Sequence, residues 1–166
     1  MFAIRILLRG CLCVAPFLFP TMVIADAPTL PRVDIIACAK AVDGLDDLVR
    51  SKMQSHCLVL AGNTCEAPAS GPILACLDDL SETMGTYVQS NKSLLPAAIE
   101  SGTLRAVAYT NALKRLGMDG AEVARCERQH SKAFDRAICL TAARFGRLVD
   151  LLNAARYAGV ALPYRI

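Results

Sequence analysis

Apolar and polar positions along this chain alternate with a helical period from about residue 35 onward, with almost no run that alternates every second residue. Ile35, Cys38, Val42, Leu45, Val49, Met53, Cys57 and Leu60 recur at steps of three and four. They predict one amphipathic helix of about seven turns, with Pro31 before it, Gly62 after it and Gly44 as a place to bend. A loop rich in Gly, Asn, Pro and Ser follows over 61–71 and carries Cys65. A second helix is expected from Pro72 to about Ser90, with Ile73, Leu77, Leu80, Met84 and Tyr87 or Val88 on one face and Cys76 flanking it.

Ser93 has the look of a helix cap, and a third helical region extends to Leu116, interrupted around Gly102-Thr103 and ended by Gly117. Asp119 and Glu122 have capping-box spacing and open the last region. The cleanest stripe comes there: Phe134, Ile138, Thr141, Phe145, Leu148, Leu152 and Ala155 predict a long core helix, with His130-Ser131 as a break before it. Ala142 and Gly146 form a small-residue strip beside the stripe, suited to close approach of a neighbouring backbone, and Cys139 lies on that strip. The residues from about 158 read as an irregular tail. The fold class is all-α, an up-down bundle of about four to five helices.

The first 25 residues change the setting of this bundle. Arg5 and Arg9 precede an apolar stretch that ends in Val23-Ile24-Ala25, the pattern of an export signal cleaved after Ala25. Pro16 and Pro20 make it a poor permanent membrane helix, and no later stretch approaches the roughly 18–20 apolar residues that span a bilayer. Residues 26–166 then form a single helical domain, periplasmic or secreted. The signal's shape fits a Gram-negative bacterium. Cys11 and Cys13 leave with the signal.

Six cysteines remain: Cys38, Cys57, Cys65, Cys76, Cys126 and Cys139. An even count in an exported chain predicts three disulfides, and no Cys-x-x-Cys spacing marks a redox centre or zinc knuckle. If 35–60 is one helix, Cys38 and Cys57 stand about 28 Å apart and cannot reach the roughly 7 Å that a disulfide needs. The preferred bridge is then Cys38 with Cys139. The other four pair as Cys57 with Cys76 and Cys65 with Cys126, or as Cys65 with Cys76 and Cys57 with Cys126; a kink at His130 would instead permit Cys126 with Cys139.

Charge is lopsided. Residues 26–100 carry 5 basic and 10 acidic side chains, and residues 101–166 carry 11 basic and 5 acidic. The two halves can fold against each other and cancel. They can also leave a basic binding face of Arg125, Arg128, Lys132, Arg136, Arg144 and Arg147, able to meet an acidic protein, a glycan or a lipid headgroup. Nucleic acid is not expected for an exported chain, and the two aromatics among these cations, Phe134 and Phe145, fall on the predicted core stripe of the last helix.

Nothing in the chain points to catalysis: there is no nucleophile elbow, phosphate loop or haem-attachment motif. His56 and His130 read as partly exposed histidines, and Asp78, Asp79 and Glu82 as a solvated helix face. Asp43, Asp46 and Asp47 lack calcium-loop spacing. Neither a metal nor another cofactor is expected.

Two runs suggest relatives. Cys65, ten residues, then Cys76-Leu77-Asp78 with Tyr87 downstream, and Cys126, twelve residues, then Cys139-Leu140-Thr141 with Arg144, are similar to secreted bacterial lysozyme inhibitors of the LprI type. Those are helical and disulfide-bonded. The likeness covers about a third of residues 26–166, and the chain has no tryptophan, which that family's sequence carries. Plant pectin-methylesterase inhibitors also use a disulfide-bonded four-helix bundle, with different cysteine spacings. The expected role is a non-enzymatic module that binds a protein or envelope component. The alternatives are an inhibitor of a secreted hydrolase, using exposed loop side chains around Asn63-Thr64-Cys65-Glu66, and a carrier of an apolar small molecule between helices.

Overall fold

The computed structural model describes residues 33–66 and 72–164. The export signal, its Ala25 cleavage position and Cys11 and Cys13 lie outside the described residues. Asp34 starts the first helix, its carboxylate accepting a hydrogen bond from the Ala37 amide at 2.9 Å. This helix, α1, spans Ile35–Ala41. The chain then turns through residues 42–46, where the Asp43 amide donates to the Lys40 carbonyl at 3.0 Å and the Leu45 amide to that of Val42 at 3.1 Å. Asp46 caps the next helix by accepting from the Val49 amide at 3.1 Å, and α2 runs over Asp47–Glu66.

The turn corrects the single helix expected over 35–60, and with it the pairing of cysteines. Reversal of the chain at Asp43-Gly44 folds α1 back along α2, so that Cys38 and Cys57 have Cα atoms 5.8 Å apart and are bonded. The other bridges are Cys65–Cys76 and Cys126–Cys139, at 5.5 and 5.7 Å. The preferred bridge of Cys38 with Cys139 does not form, nor do Cys57–Cys76, Cys65–Cys126 or Cys57–Cys126. The 28 Å that excluded Cys38–Cys57 exists only along an unbroken helix. Each bridge instead joins helices consecutive in the chain.

Helix α3 covers Ile73–Asn91 and runs into a single 3-10 turn at Lys92–Leu94, so Ser93 continues a helix end and caps nothing. Thr103 caps α4, Leu104–Leu116, by accepting from the Ala106 amide at 3.1 Å. Helix α5 is Asp119–Gln129 and α6 is Ala133–Ala158, separated at the break expected near His130. Met118, with no side-chain cap, precedes α5. The capping box expected of Asp119 and Glu122 is absent because both carboxylates turn to arginines of α6. Gly159, at φ 69°, closes α6, with its amide on the Arg156 carbonyl and that of Val160 on the Ala155 carbonyl.

Helix α6 touches each of the other five helices, most extensively α3 and α4. The pairs Arg115 with Asp150 and Arg105 with Tyr157 set α4 antiparallel to it. Glu122 with Arg147 and Cys126 with Cys139 do the same for α5, so α4 and α5 follow end to end along one side of α6. Asp47 with Arg156 at one end, and Val59 facing Ile138 across a cleft at the other, set α2 antiparallel as well. The described residues thus form an all-helical up-down bundle of six helices, α1 being an added arm on α2. Met84, Tyr87, Tyr109, Leu148, Leu151 and Leu152 form its core. The tail is tied down: Lys40 donates to the carbonyls of Leu162 and Pro163 at 2.7 and 2.9 Å, and Tyr87 donates to that of Pro163 at 2.7 Å. No helix among the described residues is long and apolar enough to cross a membrane. Three disulfides are the product of an oxidising compartment outside the cytoplasm.

Candidate functional site

The stripe on α6 is only partly core. Thr141, Phe145, Leu148, Leu152 and Ala155 are buried, whereas Phe134 and Ile138 are 41% and 46% exposed. Beside them Ile138, Ala142, Gly146 and Asp150, four residues apart, face a groove of about 700 Å³. Its walls are α5 and the end of α4, with Arg115, Glu122, Arg125, His130 and Asp135 on its rim. Ile138 and Ala142 also line a cleft of about 240 Å³ between α6 and α2, which Leu58, Val59, Gly62, Ile73, Leu77 and Phe134 make apolar. A Cβ placed on Gly146 or Gly62 would meet nothing within 4 Å. The small-residue strip expected to receive a neighbouring backbone is therefore open.

Charged groups divide by whether they are already paired. Arg115 grips Asp150 through Nη2 at 2.6 Å and Nε at 2.8 Å, and that hydrogen bond raises the arginine above its ordinary pKa. Arg147, only 3% exposed, donates from Nε to Glu122 at 3.0 Å and from Nη1 to the Leu116 carbonyl at 3.0 Å. Its Nη2 has no hydrogen-bond partner. Arg144 lies 3.2 Å from Asp119 and passes over α3, its Nη1 standing 2.5 Å from where a Cβ on Gly85 would be.

Of the six basic residues singled out in the sequence, Arg147 is thus interior and Arg144 is tied to α5 and α3. Arg125, Arg128, Lys132 and Arg136 surround the α5–α6 junction, and none of them forms an ion pair. Arg125 is the one of these four that reaches the groove.

On α2 the polarity is turned inside out. Arg50, Gln54, Cys57, Ala61 and Cys65 face inward, while Leu48, Val49, Met53, Val59 and Leu60 face solvent. The stripe expected to be core at Val49, Met53 and Leu60 lies outside. The reason is the pair of disulfides at Cys57 and Cys65, which point that side of the helix at α1 and α3. The buried polar side is held by Arg50, which donates to the Leu45 carbonyl at 3.2 Å and to Asp47 at 2.7 Å. Arg156 reaches the same Asp47 at 3.0 Å, and hydrogen bonds from both arginines hold that carboxyl below the usual range. Asp43, half-buried in the turn, is pushed up by desolvation against the pull of Arg156, Arg50 and Lys40.

The remaining residues read as chemistry lie apart. His56 is exposed on α2, and His130 is half-buried at the groove rim. Asp78, Asp79 and Glu82 are exposed on α3. No three His, Cys, Asp or Glu side chains among the described residues are grouped to hold a metal ion. Asn63–Glu66, expected as a protruding loop, is the last turn of α2: Thr64 donates to the Ala61 carbonyl at 2.6 Å and Cys65 is buried. A third cavity, about 430 Å³, opens between α1, α2 and α3, with Ile36, Ala61, Leu80 and Tyr87 on its walls.

Sequence reasoning missed the inverted α2 and the groove. A signal for the first exists, since Asp43-Gly44 is a turn dipeptide and Asp46 has the spacing of a cap to Val49. Comparison with known protein families, with characterised proteins and with solved structures found no match.

Proposed function

We propose that this chain is an exported, non-enzymatic binding module that acts in the periplasm or outside the cell by presenting its α2–α6 face to a protein partner. The observation that carries this reading is the exposure of Val59, Phe134 and Ile138 on the two walls of one cleft. Scattered apolar side chains on a surface need no explanation, but a group that lines a concavity, with polar Asn63 and Glu66 beside it, has the composition of an interface. The export signal at 1–25 and the three disulfides support the compartment. Among the described residues Ser55, next to His56, donates instead to the Ser51 carbonyl, and the two histidines sit on separate elements, which supports a role without catalysis.

Native mass spectrometry of the protein purified from its own source tests the reading. A stoichiometric complex with a protein is the expected result. A chain that carries a lipid or other small apolar molecule and no protein would overturn it in favour of a carrier.

A further inference from the structure

We propose that a second copy of this chain covers the outer face of α2, the two helices lying antiparallel about a two-fold axis level with Gln54, with Leu48 of each copy seated at the cleft beside Val59 of the other; this rests on the binding-module reading and names its partner. Leu48, 69% exposed, stands with Val49, Met53, Val59 and Leu60 on the side of α2 opposite the buried Arg50 and Gln54. The order of these residues singles out the occupant. Leu48 and Leu60 lie six residues either side of Gln54, and Val49 and Val59 lie five. Eleven residues separate Leu48 from Val59 and Val49 from Leu60, about three turns of helix, so each pair forms a row along the face. Reversing the helix about Gln54 therefore reproduces its own pattern: Leu48 comes beside Val59 of the other copy and Val49 beside Leu60, twice over. A two-fold interface requires a patch that is complementary to itself in this way. An unrelated partner places no such demand on the order of residues.

The cleft between α2 and α6 fits the same operation. Val59 lines it and Leu60 does not, so it opens on the row that carries Leu48. The rotation brings Leu48, about 9 Å along the helix from the axis on one copy, level with Val59, about 8 Å from it on the other. Phe134 and Ile138 form the facing wall, and Gly62 leaves room, since a Cβ there would meet nothing within 4 Å. At the centre Met53 comes beside its own copy. Lys52 comes level with His56 of the other copy, a polar pair that costs stability and fixes register. With Phe134 and Ile138 included, the apolar side chains expose roughly 600 Å² per copy, so a pair reaches the ~1,200 Å² at which specific interfaces begin. A bilayer is a poorer occupant. The exposed charges of α2 and its cap are Asp46, Asp47 and Glu66 against Lys52, whereas a helix that lies on anionic lipid is rich in Lys and Arg.

Sedimentation equilibrium of the oxidised mature protein is expected to show a monomer–dimer equilibrium in the micromolar range. Leu48→Glu, at a site exposed in the single chain, should weaken the dimer at least about a hundredfold, because the contact is lost twice, and should leave the circular dichroism spectrum unchanged. Register is read by cross-linking. Under mild oxidation Val49→Cys mixed with Leu60→Cys should give a disulfide-linked dimer, whereas neither variant alone should, each standing at least about 15 Å from its own copy. A chain still monomeric at about 100 µM, a dimer that Leu48→Glu leaves intact, absence of the mixed cross-link, or linkage of Val49→Cys to itself would overturn the proposal. So would binding to phosphatidylglycerol vesicles, lost in Leu48→Glu, in place of dimerisation. A monomer that still purifies in a stoichiometric complex with another protein removes the dimer and leaves the binding-module reading standing; a monomer with no protein partner removes both.

Discussion

From Phe145 to Ala155 the apolar stripe of α6 is covered by α3 and α4, whereas at Phe134 and Ile138, two turns and one turn before the covered Thr141, the same repeat runs out into solvent. Helix type and residue type are alike in the two halves. What differs is the neighbour. The C-terminal half faces the two helices that carry Tyr87 and Tyr109, both fully buried. The N-terminal half has the shorter α5, which is held to it by a disulfide and ion pairs and contributes only Cys126 to the interior. Hydrophobic periodicity therefore marks a surface that something covers, without saying whether the cover belongs to the same chain.

Substitution in the two halves should break this symmetry most visibly. Leu148→Ala, at a fully buried site, is expected to cost about 2–5 kcal/mol in urea unfolding, whereas Ile138→Ala should stay within about 0.5 kcal/mol. Similar losses at both positions would mean that the N-terminal half is covered after all. Next in size is the staple that holds α5: replacing Cys126 and Cys139 together by serine should cost about 3 kcal/mol, the value for a loop of this length. Hydrogen exchange should then speed up in 119–129 well before it does in α4. Uniform exchange along both helices would show that the ion pairs of Asp119 and Glu122 hold α5 without the bridge.

Gly146→Ala sharpens the comparison from the other side. A Cβ there meets nothing within 4 Å, so exchanging glycine for the best helix former should stabilise the chain by about 0.5–1 kcal/mol. A loss would reveal a neighbour against the strip. Gly85→Ala, in contrast, places its Cβ against the Arg144 guanidinium and should lose stability unless that side chain moves.

The smallest effect is expected in the polar seam behind α2. Burial holds Asp43 above the usual carboxylate pKa, so the fold binds its proton more tightly than the unfolded chain does. Stability from that proton is present at acid pH and is lost as pH rises through the folded pKa. Asp43→Asn should therefore gain a few tenths of a kcal/mol at neutral pH, discounted because the group is half in solvent, and gain nothing below the carboxylate range. A loss at neutral pH would show that attraction to Arg156, Arg50 and Lys40 outweighs desolvation.

Much of the architecture was legible in the chain, and unevenly so. The bounds of α3 and the break between α5 and α6 follow from local signals: a proline start at Pro72 and an interruption at His130-Ser131. The turn at 42–46 carried signals as well, Asp43-Gly44 and the Asp46 cap, but the regular stripe of Ile35 to Leu60 continues across it and hides it. Once that turn is missed, Cys38–Cys57 is excluded by a distance that does not exist. The site was less legible. Arg125 reaches the groove as a candidate binding residue should, yet Arg147, in the same basic stretch, is interior and bound to Glu122. Charge along a sequence does not distinguish a cation that meets a partner from one that meets its own fold.

By itself the sequence determined that the described chain is helical, that a helix is interrupted at Gly102-Thr103 and that the last one gives way to a tail near Gly159, because turn chemistry and the period of 3.6 act over a few neighbouring residues. Tertiary structure alone decided which apolar faces are core. On α2 two disulfides turn Arg50 and Gln54 inward and Val59 and Leu60 outward; on α6 the start of α3 covers Ala137 and Thr141 but leaves Phe134 and Ile138 at a cleft. Burial is a property of pairs of surfaces, and one surface of each pair is far away in the sequence.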